Sequence, residues 1–161
     1  MNSHQRIIAA IDFFSHSQLV AEHAANLARC MKVELVFVNV INQRDIDAIN
    51  YAINNLDNNA NKISLQRCMD QLREEREKKW EQLQETVDMS GLKTRLIIRT
   101  GEPYQELLNS VAEEKADMLV MGIKGRSNLS DMMVGSTALK MVKRCPVPLV
   151  TVRNSQPETS L

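Results

Sequence analysis

Asp117-Met118-Leu119-Val120-Met121-Gly122-Ile123-Lys124-Gly125-Arg126-Ser127-Asn128, followed after six intervening residues by Gly135-Ser136-Thr137, sets the reading of the whole chain. An apolar run stops at a glycine and gives way to a loop with two basic residues. A second glycine then opens a stretch, Ser136 to Arg144, that has helical character and ends before Pro146. A short run that is apolar at successive positions, not alternate ones, is a strand buried on both faces, as in a parallel sheet. The same pattern recurs outward from this segment. Arg6 to Asp12, Val33 to Ile41, Leu92 to Arg99 and Val147 to Arg153 are four further strand candidates. Pro148 has no N–H to give to a ladder, so the last strand is expected at a sheet edge.

Helical spacing fills the intervals. Leu19, Val20, His23, Ala24, Leu27, Ala28 and Met31 mark a first helix, with Ser15 and Ser17 as candidate caps. Ser64 is placed to cap a long helix to about Met89, with Leu65, Met69, Leu72, Leu83 and Val87 as its inner stripe and Gly91 as its C-terminal cap. The charged run Arg73 to Lys79 in that helix reads as a solvated face with i,i+4 pairs. Pro103 starts a helix whose apolar face is Tyr104, Leu107, Leu108, Val111 and Ala112. Residues 42–63 contain the Asn-rich run Asn54 to Asn61 and read as a loop with a short helix near Ile46 to Ile53. Five strands and four helices in βαβαβαβαβ order imply an α/β fold: a single doubly wound domain with a parallel sheet and helices on both faces.

The chain has 161 residues, enough for one domain, read as residues 1–153 with a polar tail at 154–161. Hydrophobic residues are 43% and charged residues 25%, which excludes wholesale disorder. Twenty basic and twenty acidic residues balance to a net charge of zero, so the basic excess of a non-specific nucleic-acid binder is missing. The longest uninterrupted apolar run, Ile7 to Ile11, is too short for a membrane span or a secretory segment, and a cytoplasmic location is expected. Cys30, Cys68 and Cys145 are widely spaced and read as reduced thiols, and the three histidines are too scattered to suggest a metal site.

Ligands of open parallel sheets lie beyond the carboxyl ends of the strands, where the strand order reverses. Two predicted strand ends carry unusual residues there: Asp12 after the first, and the Gly122 loop after the fourth. Gly122 and Gly125 allow a close backbone approach. Gly135-Ser136-Thr137 opens a helix, whose first N–H groups and field favour an anion. Lys124 and Arg126 add positive charge. Any one of these glycines is explained by a turn. The whole spaced set, between a strand and a helix, suits a nucleotide phosphate chain. No P-loop, no dinucleotide glycine fingerprint after the first strand and no G-x-S-x-G elbow is present. A phosphoacceptor receiver domain is rejected because the third strand ends Ile98-Arg99-Thr100, without an aspartate.

Gly122-x-x-Gly125, nine residues, then Gly135-Ser136 resembles the G-x2-G-x9-G-[ST] signature of the ATP-binding branch of the universal stress proteins. Ala10-Ile11-Asp12-Phe13, Gly101-Glu102-Pro103, Ala116 to Gly122 and Cys145 to Val150 are similar to further patterns of that family, in the same order. The resemblance covers residues 5–153 and implies a five-stranded sheet of order 3-2-1-4-5, in an adenine nucleotide alpha hydrolase-like fold. It implies that Asp12 and the backbone of Val40 contact adenosine, that Gly122 lies at the ribose, and that Gly125, Gly135, Ser136 and Thr137 hold phosphates, with Arg126 in a variable motif position. It further implies ATP, or ADP or AMP, as ligand, with magnesium or manganese bridging the phosphates. It also implies a homodimer formed through the last strand, where Val147, Leu149, Val150 and Val152 supply apolar surface. The function expected is a nucleotide-dependent sensor or regulator in the stress response. The alternatives are an interaction module with an empty pocket, or a slow ATPase. No general base accompanies Asp12, so no catalytic residue is assigned.

Overall fold

The computed structural model describes residues 5–55, 64–124 and 133–153. Its elements follow the chain as β1 (Arg6–Ala10), α1 (Ser17–Met31), β2 (Glu34–Asn42), α2 (Gln43–Asn55), α3 (Leu65–Thr86), β3 (Thr94–Gly101), α4 (Pro103–Glu113), β4 (Met118–Gly122), α5 (Ser136–Arg144) and β5 (Leu149–Val152). All five strands are parallel in the order β3-β2-β1-β4-β5, as expected. Ile7, Ile8 and Ala9 of the central strand have no exposed surface, because helices cover both sides. β5 lies at an edge, and the Pro148 carbonyl still accepts from the Leu119 N–H at 3.0 Å.

Two cores sandwich the sheet. On one side Ile7, Ala9, Leu35, Phe37 and Val120 meet α1 and the C-terminal part of α3. α1 turns a face of small residues to the sheet, Ala21, Ala24, Ala25 and Ala28, each at most 1% exposed. Small side chains let the helix axis approach closely. On the other side Ile8, Val36, Val38, Leu119 and Met121 meet Leu107 and Val111 of α4 and Ala138 and Met141 of α5.

Several local expectations are corrected. Neither Ser15 nor Ser17 caps α1: the N-cap is His16, with no side-chain hydrogen bond, and the Ser17 hydroxyl turns to Asp12 instead. His23 and Met31 are exposed, and Ala21 and Ala25 take their places on the inner face. The segment after β2 is not a loop with a short helix but a 13-residue helix, α2, anchored by Ile46, so five helices are described and not four. Ser64 does cap α3, its hydroxyl accepting from the Arg67 N–H at 3.1 Å. The helix ends at Thr86 with Val87 as C-cap. Gly91, at φ 73°, serves the turn before β3, not the helix end. In α4 Leu107 and Val111 are buried as expected, Ser110 joins them with its hydroxyl donating to the Glu106 carbonyl, and Ala112 is exposed. Most of the Asn-rich run and the polar tail lie outside the described residues.

Candidate functional site

β1 is the shortest route to the site. Its last ladder partners are Ala10 with Val38 on one side and Ala10 with Met121 on the other. Its two neighbours continue past it, β2 to Asn42 and β4 to Gly122. In a parallel ladder alternate residues of a strand bond to opposite neighbours. The Glu34 N–H goes to Gln5 and the Leu35 N–H to Lys93, so the even-numbered residues of β2 face β1. On β4 the Leu119 and Ile123 N–H groups go to Pro148 and Val152 of the β5 side, so there too the even residues face β1. Val40 therefore turns its backbone N–H and C=O groups into the gap left where β1 ends, and Gly122, whose N–H the Ala10–Met121 register commits to the Ala10 carbonyl, turns its C=O there. Asn39 supports that gap. Its buried side-chain amide donates to the Ile11 carbonyl at 2.9 Å, next to the Ile11 N–H bond to Val38.

The gap opens into a cavity of about 290 Å³. This is at the lower end of the range of small-molecule sites. It is lined by six of the eight residues expected at the site: Asp12, Val40, Gly122, Gly135, Ser136 and Thr137. The other two, Gly125 and Arg126, lie outside the described residues. Val38, Met121 and Leu107 give the cavity apolar lining, and Lys124 also lines it.

Each polar feature has a local cause. The Asp12 Oδ1 accepts from the Phe14 N–H at 2.9 Å and from the Ser17 hydroxyl at 3.0 Å. The tight turn this makes puts Phe13 at φ 62°. α5 begins at Gly135, whose N–H closes the preceding loop onto the Ile123 carbonyl at 2.9 Å and whose carbonyl accepts from Leu139. Glycine has no side chain to cap with, so Gly135 leaves the first-turn N–H groups of α5 without an N-cap side-chain bond. Gly122 has a nearer reason for being glycine than a ligand. A Cβ there would lie 3.1 Å from the Lys124 carbonyl of its own chain and 3.6 Å from Val20.

His16, Ser17, Asn42 and Pro103 also line the cavity and were not among the expected residues. Ser17 and Asn42 carried a signal. One lies a helical turn beyond the acidic strand end, and the other is the last residue of a buried strand. His16 and Pro103 reach the cavity through the placement of helix N-termini, which spacing along the chain does not show. Among the described residues no cluster of His, Cys, Asp or Glu could hold a metal ion. No described helix is long and apolar enough to cross a membrane.

A five-stranded parallel sheet of this order, with a cleft at its switch point, defines a Rossmann-like α/β protein. The universal stress protein family model matches residues 3–153, and the chain belongs to that family. A universal stress protein of Methanocaldococcus jannaschii is 23% identical over 155 residues, spanning 93% of this chain and 95% of that one. Among solved structures, one described as a test case of structural genomics superposes with a TM-score of 0.77 at 21% identity, covering 96% of this chain and 99% of that chain. A universal stress protein solved with cAMP gives 0.58 at 19% identity, covering 94% and 98%. One from Archaeoglobus fulgidus solved with dAMP gives 0.61 at 14% identity, covering 95% and 100%.

Proposed function

We propose that this chain binds an adenine nucleotide, ATP in the first instance, in the crevice at the end of β1, and works as a cytoplasmic, nucleotide-dependent regulator of stress adaptation. The observation that carries the reading is the meeting of three features in one cavity. These are strand backbone beyond the end of β1, at Val40 and the Gly122 carbonyl, an acceptor at Asp12, and the N-terminus of α5, which has no N-cap side-chain hydrogen bond, at Gly135, Ser136 and Thr137. The relatives solved with cAMP and dAMP support the same ligand class. Val40 offers a paired N–H and C=O to a base edge, and Asp12 takes the sugar side, where its charge is kept from the phosphates. The α5 N-terminus receives the phosphates, helped by Lys124 and, from motif spacing alone, by Gly125 and Arg126. Magnesium or manganese would reach the phosphates without a dedicated protein cage. The protein acts as a homodimer through β5.

The test is the nucleotide content of the purified protein, released by denaturation and counted per chain, together with calorimetric titration of ATP with magnesium. Near-stoichiometric adenine nucleotide, or ATP binding by the emptied protein, is the expected result. Gly135 has φ −62° and ψ 150°, which any residue adopts, so Gly135→Val leaves the backbone relaxed. It crowds the phosphate end and is expected to weaken ATP binding at least about tenfold while the protein stays folded. An empty protein that ignores added ATP, or a Gly135→Val variant of unchanged affinity, overturns the reading.

A further inference from the structure

Ser17 is a positioning residue for the Asp12 carboxylate, and we infer that the pair makes this site select ribonucleotides over their deoxy counterparts. The inference rests on the nucleotide reading above and specifies the sugar that reading leaves open.

A carboxylate has about four lone-pair directions, two on each oxygen. In Asp12 both donors within the protein converge on one oxygen. The Phe14 N–H reaches Oδ1 at 2.9 Å and the Ser17 hydroxyl reaches it at 3.0 Å. Among the described residues no hydrogen bond is made to Oδ2. Asp12 lines the cavity, and so does Ser17, which is only 5% exposed and whose N–H is engaged with the Phe14 carbonyl at 2.9 Å. The Ser17 hydroxyl is satisfied in the orientation that holds Oδ1. Two bonds on one oxygen, from a backbone turn and from the first turn of α1, stop rotation about the Cβ–Cγ bond. Oδ2 remains as a fixed acceptor. The left-handed backbone at Phe13, φ 62°, is an uncommon conformation for a bulky residue and persists because the turn around Asp12 holds it.

The chemistry of the partner follows. An ionised carboxylate only accepts, so its ligand atom is a donor. It repels a phosphate, and the phosphates have their own end of the cavity at α5. The donor left on a nucleotide between base and phosphate is a sugar hydroxyl. A hydrogen bond from a hydroxyl to a pre-positioned carboxylate is among the stronger neutral-to-charged kind. Its loss on removal of that hydroxyl is expected to lower affinity about tenfold.

Calorimetric titration of ATP, 2′-deoxy-ATP and 3′-deoxy-ATP into the full chain tests this, with Ser17→Ala, Asp12→Asn and the double variant alongside. In the unsubstituted protein at least one deoxy analogue is expected to bind about tenfold more weakly than ATP. Ser17→Ala is expected to narrow that ratio to about threefold or less, chiefly by weakening ATP and leaving the deoxy analogue within about twofold. Asp12→Asn should narrow it likewise, and the double variant should narrow it no further, because Ser17 acts only through the Asp12 carboxylate. Thermal melts confirm that each variant folds. A structural role for Ser17 would weaken ATP and the deoxy analogues equally, and that result overturns the inference. So does equal binding of all three nucleotides by the unsubstituted protein, which leaves the nucleotide reading standing. Failure of every nucleotide to bind removes both.

Discussion

Glu34 stands at the amino-terminal end of the sheet, away from the cavity, where β2 begins between β1 and β3. Burial pushes its carboxyl up. The hydrogen bonds from Arg6 at 2.8 Å and Arg95 at 3.1 Å, with the charge of Lys93, outweigh burial and bring it from 4.5 down to about 2. Arg95 also pairs with Glu114, so three strands and the end of α4 are tied at one point. A depressed folded-state pKa means that the unfolded chain takes up the proton first on acidification. The stabilisation is complete above about 4.5 and drains away as the pH falls toward about 2. Glu34→Gln is expected to lower stability by about 2 kcal/mol at pH 7. The gap from the unsubstituted protein in urea unfolding should close between pH 4.5 and 2. A gap that stays constant across that window would assign the loss to packing instead.

α3 is the element whose packing is least evenly spread. Of its 22 residues only Leu83 is buried, and in the run Arg73 to Lys79 all but Arg76 and Lys79 are exposed, with Lys79 and Glu75 paired at 2.8 Å. Its attachment is made by Trp80, which meets Phe37 of β2 at a ring-centroid distance of 4.6 Å and a tilt of 49°. Tilted aromatic pairs add to the area they bury. Trp80→Ala is expected to lower stability by about 3 kcal/mol, read as a shift of the urea midpoint with the slope unchanged. A loss under about 1 kcal/mol would show that α3 is held by Leu83 and Val87 alone. The inner stripe of this helix was legible from its spacing only at the C-terminal end: Leu83 and Val87 are buried, while Leu65, Met69 and Leu72 are only half-buried. Trp80 was not. It falls beside the stripe, and only the approach of β2 gives its ring a partner.

The edge of the sheet bears on assembly. Pro148 and Val152 bond toward β4, so the odd positions Leu149 and Thr151 turn their backbone groups outward along an open edge. Of the apolar side chains expected to form a dimer surface, Val150 and Val152 are used in one core and Val147 and Leu149 pack against the other. What this edge offers a partner is therefore first its unpaired N–H and C=O groups, the usual template for strand addition. Exposed Leu139 and Val142 on the outer face of the preceding helix add apolar surface. If the protein dimerises through β5, sedimentation should find a dimer that Thr151→Pro converts to a monomer, because one outward donor is removed while the β4 ladder is untouched. A Thr151→Pro variant that remains dimeric would place the interface elsewhere.

The sequence by itself determined the alternation of strands and helices, the burial of β1 on both faces, the edge position of β5 and the spacing of the glycines around Gly122 and Gly135. These are properties of local pattern: period, branching, turn chemistry and the missing N–H of proline. They also carried the family resemblance, and with it the strand order that the fold bears out. The helix at Gln43–Asn55 was harder to read, because it has one buried residue, Ile46, and runs into asparagines at Asn54 and Asn55 whose propensity argues for turns. Other features arose only from the folded arrangement. That β1 stops short of β2 and β4 is a relation among three strands, and it is what turns the backbone of Val40 and Gly122 toward the cavity. That Ser17 serves Asp12 and not the end of α1 depends on a side-chain torsion. That three helix N-termini bring His16, Pro103 and Ser136 to one cavity depends on the right-handed crossovers between strands. Such facts concern distances between segments far apart in the chain, and side-chain periodicity records only which face is apolar, not what that face will meet.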